Sequence, residues 1–243
     1  MFSNYFVRSL VTSSLTLIWI VAGSSGCQTF NASANSKRET AETLIRQAAA
    51  SFAVGDFQKN ANLLKRAAET DPNNGKVWWK LCEAYQLTEE LDLAVKACKQ
   101  ELSLHPSSSS HNGLGLVYLA KKDYPQAAFE FEKAAADSDI SVIHSNYVWA
   151  LLESKQYERA IPAAQSLIEV SKADSPALKS TQSAYHYLAI AYMKTGQANK
   201  ALEAVRNGYG AGCSMEVGDK PEDAVVSCKD GSSVKKSLET APH

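Results

Sequence analysis

Five cysteines and five histidines are the side chains of this 243-residue chain with the widest chemical reach. A thiolate attacks, ligates metals or exchanges with a disulfide; an imidazole carries protons or binds a metal. Cys82 and Cys98 stand 16 residues apart, and Cys213 and Cys228 lie together near the end. No Cys-x-x-Cys motif depresses a thiol pKa, so thiol exchange at Cys82 and Cys98 is the one redox chemistry left open. His105, His111, His144, His186 and His243 show no metal-ligand spacing with one another or with the cysteines. Ser107 to Ser110 followed by His111 has the residue types of a nucleophile and a base, yet reads as a linker between helical segments. A phosphate-cradling glycine-rich loop and a nucleophile elbow are both missing. The residues therefore favour a non-catalytic protein with no cofactor and no metal.

Such side chains need a scaffold, and the scaffold is written in a period. Hydrophobic content of 45% and charged content of 21% are ordinary for a globular protein, and the net charge of -1 provides no electrostatic footprint for nucleic acid. Gly55-Asp56-Phe57, then Leu63-Leu64, Ala67 and Asp71-Pro72 begin a pattern that returns at about 34 residues, the signature of a solenoid. Each unit holds apolar residues at helical spacing, a turn of Gly, Asp or Lys type, and a second helical run, which makes an αα-hairpin.

Leu44, Ala48, Ala67 and Pro72; Trp78, Leu81, Tyr85, Ala94 and Pro106; Leu114-Gly115, Tyr118, Tyr124, Ala127, Phe131 and Ala134; Tyr147, Leu151, Tyr157 and Ala160; and Leu188, Ala189, Tyr192, Gly196 and Ala201 carry five successive copies. On these residues the chain resembles the tetratricopeptide repeat proteins. The resemblance implies an all-α superhelical solenoid of about five helix-turn-helix repeats, with units near 41–74, 75–108, 108–141, 141–174 and 176–208. Asn60 stands where the family has a small residue, and Pro162 falls in the opening of a second helix. Ser175-Pro176 suits the start of a longer first helix running to about Thr195. The family pattern also sets Cys82 and Cys98 facing each other across their hairpin, as a disulfide requires.

In that family the first helices line the concave face. By register, the groove residues are Ile45, Phe52, Trp79, Glu83, Leu87, Asn112, Leu116, Leu119, Trp149, Leu152, His186, Ile190, Met193 and Lys194. Their apolarity is surplus to the core, which marks an expected protein-binding face with Trp79 and Trp149 as anchors. The alternative is that the C-terminal tail or the long last first helix covers part of it. Trp79 and Asn112, with Glu83 and Leu116, replace the Lys and Asn that family members use to clamp a terminal carboxylate. An apolar helix or extended segment is the expected guest.

Past Gly208 the pattern fails. Residues 209–243 form a tail holding Cys213 and Cys228, polar and turn-rich, with a short helix expected over Val234 to Leu238 and a capping role as its default.

The first 26 residues read as an export signal: Arg8, then a mostly apolar run from Leu10 to Ala22 that falls short of the roughly 20 residues a membrane span needs. Ser24-Ser25-Gly26-Cys27 resembles the bacterial lipobox, with Ser24 in place of its usual branched residue. That resemblance implies acylation of Cys27, and Gln28 after it implies the outer membrane, periplasmic side. Residues 27–40 then act as a lipidated tether. Setting Cys27 aside leaves four cysteines in an oxidising compartment, paired most economically as Cys82–Cys98 and Cys213–Cys228, although Cys82 and Cys98 also suit small core positions. The expected function is a lipid-anchored envelope scaffold similar to pilotins and other outer-membrane repeat lipoproteins, recruiting a protein partner. The alternative is a periplasmic thiol-redox protein using Cys82 and Cys98.

Overall fold

The computed structural model describes residues 35–174 and 178–235. The expected leader, Cys27, most of the tether, the Ser175-Pro176 helix start and the last eight residues lie outside the described residues. Among the described residues ten helices follow one another: α1 over 35–53, α2 Phe57–Thr70, α3 Gly75–Leu87, α4 Leu91–Leu104, α5 Ser108–Ala120, α6 Tyr124–Ala136, α7 Ser141–Glu153, α8 Tyr157–Asp174, α9 Leu178–Lys194 and α10 Ala198–Tyr209. Strands β1 Cys213–Glu216, β2 Val225–Cys228 and β3 Ser233–Lys235 close the described chain, with a 3-10 turn at Pro221–Asp223 between the first two. No described helix is long and apolar enough to cross a membrane. The chain divides into two compact units, one ending at Ala84 and one beginning at Tyr85.

Each hairpin turn is built on the same local device. Gly55, Glu89, Lys122, Lys155 and Gly196 all have positive φ, between 59° and 78°, at the same place in each repeat. The left-handed residue lets two amide groups fold back onto the preceding helix, so that its last carbonyls are not orphaned. In the fourth hairpin, Lys155 N donates to Leu152 O at 3.0 Å and Gln156 N to Leu151 O at 2.8 Å. The pair recurs at Lys122 and Asp123, at Gly196 and Gln197, and in the first unit at Gly55 and Asp56. The residue after the left-handed one then starts the next helix. Asp56 and Asp123 do so as side-chain caps, accepting from Lys59 N and Gln126 N.

In the first unit, Leu44, Ala48, Ala61, Leu64 and Ala67 are buried. Asn60, expected to be small, instead bridges the hairpin: its buried amide donates to Ala48 O at 2.8 Å. A polar side chain is tolerated there because its desolvation is offset by that bond. The Trp78 indole N–H donates to Pro72 O at 2.8 Å.

In the second unit, consecutive helices from α4 to α10 pack on one another, and α7 also packs on α9. That last contact makes a stack, because it joins the first helix of one hairpin to the first helix of the next. Gly115 and Phe131 show why a helix crossing fixes residue size. A Cβ on Gly115 would lie 2.6 Å from the ring of the fully buried Phe131. Pro162 is the sixth residue of the 18-residue α8, deeper than its first turn, yet the helix continues through it. Pro162 faces solvent, so water can satisfy the carbonyl that its missing N–H leaves free.

The tail departs from expectation. It is a three-stranded antiparallel sheet in the order β1-β2-β3, with Cys213 opposite Cys228 and joined to it by a disulfide. Ser233–Lys235 is strand, so the helix expected from Val234 does not form there. Cys213-Ser214-Met215-Glu216 alternates inward and outward, a two-residue period that suits a strand and no helix. The disulfide locks the register of a sheet too small to hold itself.

Candidate partner-binding face

The first helices of the second unit, α5, α7 and α9, present the face on which the groove residues were expected. Asn112, Leu116 and Leu119 fall at helical spacing on one side of α5 and are half-buried. Asn146 Nδ2 reaches Asn112 Oδ1 at 3.5 Å, tying α7 to α5. One turn further along come Leu116 and the half-buried Trp149. Leu87 and Met193 are exposed. Leu152, His186 and Ile190 are fully buried, so this conformation gives them no surface to offer. Repeat register marked these three for the face; burial between stacked helices accounts for the apolarity of Leu152 and Ile190.

In the first unit, Ile45 and Trp79 are half-buried and Phe52 and Glu83 exposed. Phe52 stacks edge-on against Phe57, ring centroids 5.6 Å apart. Desolvation raises the Glu83 carboxyl pKa, offset in part by Lys80 and by the Trp79 indole one turn back.

The tail reaches onto the first-helix face, which is the alternative that register left open. Lys194 Nζ, at the end of α9, donates to Gly218 O at 2.6 Å and to Asp219 O at 3.1 Å. Glu153, at the end of α7, feels the charges of Glu222 and Lys220. Burial pushes its carboxyl pKa up first, and Glu222 adds to the rise while Lys220 opposes it. Tyr124 and Tyr157, from the starts of α6 and α8, are raised chiefly by desolvation and then by Glu153. Pro221, Ala224 and Val226 are buried within or beneath the tail. Lys194 was assigned to the face from its register; its bond to the tail carbonyls had no sequence signal beyond the turn residues Gly218-Asp219-Lys220-Pro221.

The residues that suggested chemistry are used structurally. Ser107 caps α5 through Ser110 N at 3.1 Å, while buried Ser110 Oγ sits 2.9 Å from Glu101 Oε1 and 2.8 Å from His105 O. His111 Nδ1 turns away from that serine to Glu130 Oε2 at 2.7 Å. His144 Nε2 lies 2.7 Å from Ser138 O, and His186 Nδ1 lies 3.0 Å from Tyr209 Oη. No cluster of three or more metal-ligating side chains occurs among the described residues. Cys82 and Cys98 are both buried and both engaged in disulfide bonding. Sulfurs already joined in disulfides and out of reach of solvent are poor candidates for cycling.

Comparison with known proteins agrees with this geometry. The formate-dependent nitrite reductase complex bifunctional subunit NrfFG of Haemophilus influenzae is 29% identical over 140 residues. That match takes in 54% of this chain and 36% of the relative, so the chain spans little more than a third of that protein. A crystal structure of MamA protein superposes with a TM-score of 0.61 at 19% identity, covering 70% of this chain and 90% of that one. The TPR-like repeats of a putative kinesin light chain from Podosopora anserina give 0.53 at 19% identity, with 68% and 93% covered. Residues 89–142 match the tetratricopeptide repeat family. The fold is thus the helical-hairpin fold of tetratricopeptide repeat proteins, and the stretch 89–142 carries that family's repeat.

Proposed function

We propose that this chain is a non-catalytic adaptor, anchored to the bacterial outer membrane through acylated Cys27, that holds an apolar segment of a protein partner on its first-helix face. The observation that carries the reading is the side-by-side placement of half-buried Leu116, Leu119 and Trp149 along α5 and α7. Aromatic and aliphatic side chains left partly in water are the usual anchors of an interface. The partner would be a component of an envelope, pilus or secretion assembly. Support for a role in multi-protein assemblies comes from the relative NrfFG, which is named as a subunit of an enzyme complex. The fully buried, disulfide-bonded state of Cys82 and Cys98 weighs against the thiol-redox alternative.

Two experiments test the two halves separately. Cys27→Ser should move the protein out of the membrane fraction; unchanged partitioning ends the lipoprotein reading. A photo-crosslinking residue at Leu119 should capture a discrete partner, and Trp149→Ala with Leu116→Ala should abolish the capture without loss of helical signal. Capture that survives both substitutions would put the binding face elsewhere.

A further inference from the structure

The tail carries a second observation. Its hairpin of β1 and β2 is stapled by Cys213–Cys228 and leaves α10 through Gly210, whose φ of 110° suits glycine. It is held on the face by the two Lys194 bonds, and beneath it lies Glu153, whose Oε1 is buried with no hydrogen-bond partner.

We propose that the tail is a proton-sensitive clasp on the first-helix face: it closes against α7 and α9 when Glu153 is protonated and loosens when Glu153 is ionised. The groups around that carboxyl explain the polarity. Glu222 on the tail brings a second negative charge. Lys220, the tail's nearest cation, is exposed and already paired with Glu222 at 3.4 Å. Lys194 from α9 is spent on main-chain carbonyls. Tyr124 from α6 and Tyr157 from α8 have raised pKa values and stay neutral over the relevant range. Asp219 and Asp223 are exposed. An ionised Glu153 is thus desolvated, faces a like charge and has one oxygen without a donor.

The sign follows from linkage. A carboxyl that is harder to ionise with the tail closed than with it open favours closure below its closed-state pKa. Closure is lost as pH rises through that value. The clasp closes on the chain's own face, so it stands or falls independently of the partner-binding reading.

Hydrogen exchange of the full chain, corrected for the intrinsic rate, reads the clasp directly. Amides of residues 213–228 should be several-fold better protected at pH 4, below the ordinary carboxylate value, than at pH 7.5. Glu153→Gln, which mimics the protonated acid, should be protected at both pH values, and Lys194→Ala should weaken protection at both. Glu222→Gln leaves α7 untouched and should shrink the pH dependence. Protection that does not vary with pH in the native chain, or an unchanged pH dependence in Glu153→Gln or Glu222→Gln, overturns the proposal.

Discussion

Gly115 and Phe131 meet where α5 and α6 cross, so closely that a methyl group on the glycine would sit 2.6 Å from Cε1 of the ring. The contact is side chain against backbone, and the ring is fully buried with nowhere to retreat. Size at this position is therefore set by helix approach and not by helix propensity, for which alanine would be the better residue.

Gly115→Ala should lower stability by about 1–3 kcal/mol, the usual cost of overpacking a close helix contact. Urea unfolding followed by circular dichroism measures it. Phe131→Leu in the same chain should recover part of the loss, because the smaller side chain vacates the space. No recovery would mean that the two residues do not compete.

The left-handed turn residues divide into glycines, with φ of 74° and 78°, and charged residues, with φ of 59°. An L-residue there costs roughly 1–2 kcal/mol, while glycine gives back roughly 0.5–1 kcal/mol through the flexibility of its unfolded chain. Lys122→Gly and Lys155→Gly should each stabilise the protein by about 0.5 kcal/mol, and Gly196→Ala should destabilise it by about 1 kcal/mol. Thermal midpoints of the three variants give the test. A destabilised Lys155→Gly would show that its side chain has a role beyond the turn.

Glu101 and Ser110 make a buried polar pair. Burial raises the Glu101 carboxyl pKa, and the Ser110 hydroxyl pulls it back. A raised carboxylate pKa makes the folded state favour the proton, so this group's contribution to stability falls as pH climbs from the ordinary carboxylate value through the folded one. Ser110→Ala removes the donor and should cost about 1–3 kcal/mol at neutral pH, with a smaller loss below pH 4. Equal losses at both pH values would show that the hydroxyl does not serve the carboxylate.

Four cysteines in disulfides leave no free thiol once Cys27 is replaced. A Cys27→Ser chain denatured without reductant should therefore give no reaction with a thiol reagent, and peptide mapping should recover Cys213 linked to Cys228 and neither Cys82 nor Cys98 as a free thiol. Cys213→Ser with Cys228→Ser should loosen the tail while leaving the helical signal intact, because α10 and its predecessors pack without it. Detectable thiol, or a mixed linkage, would contradict the pairing.

The repeat length, the hairpins, the turn positions and residues such as Leu114, Gly115, Tyr118 and Phe131 were legible in one dimension. The reason is physical: a stack of hairpins is held by local helices and nearest-neighbour contacts, so each packing role returns at a fixed spacing. Asn60 broke that register, and its bond to Ala48 O shows how the fold absorbed it. Leu152 and Ile190 looked like surface because apolarity on a helix face is the same whether the neighbour is a partner or the next helix. Folding in three dimensions chose between those neighbours. It also brought Gly218 and Asp219 to Lys194, and Glu222 towards Glu153, through a tail without any repeat. Contacts between segments that share no period leave no periodic trace, and they appear only when the chain has closed on itself.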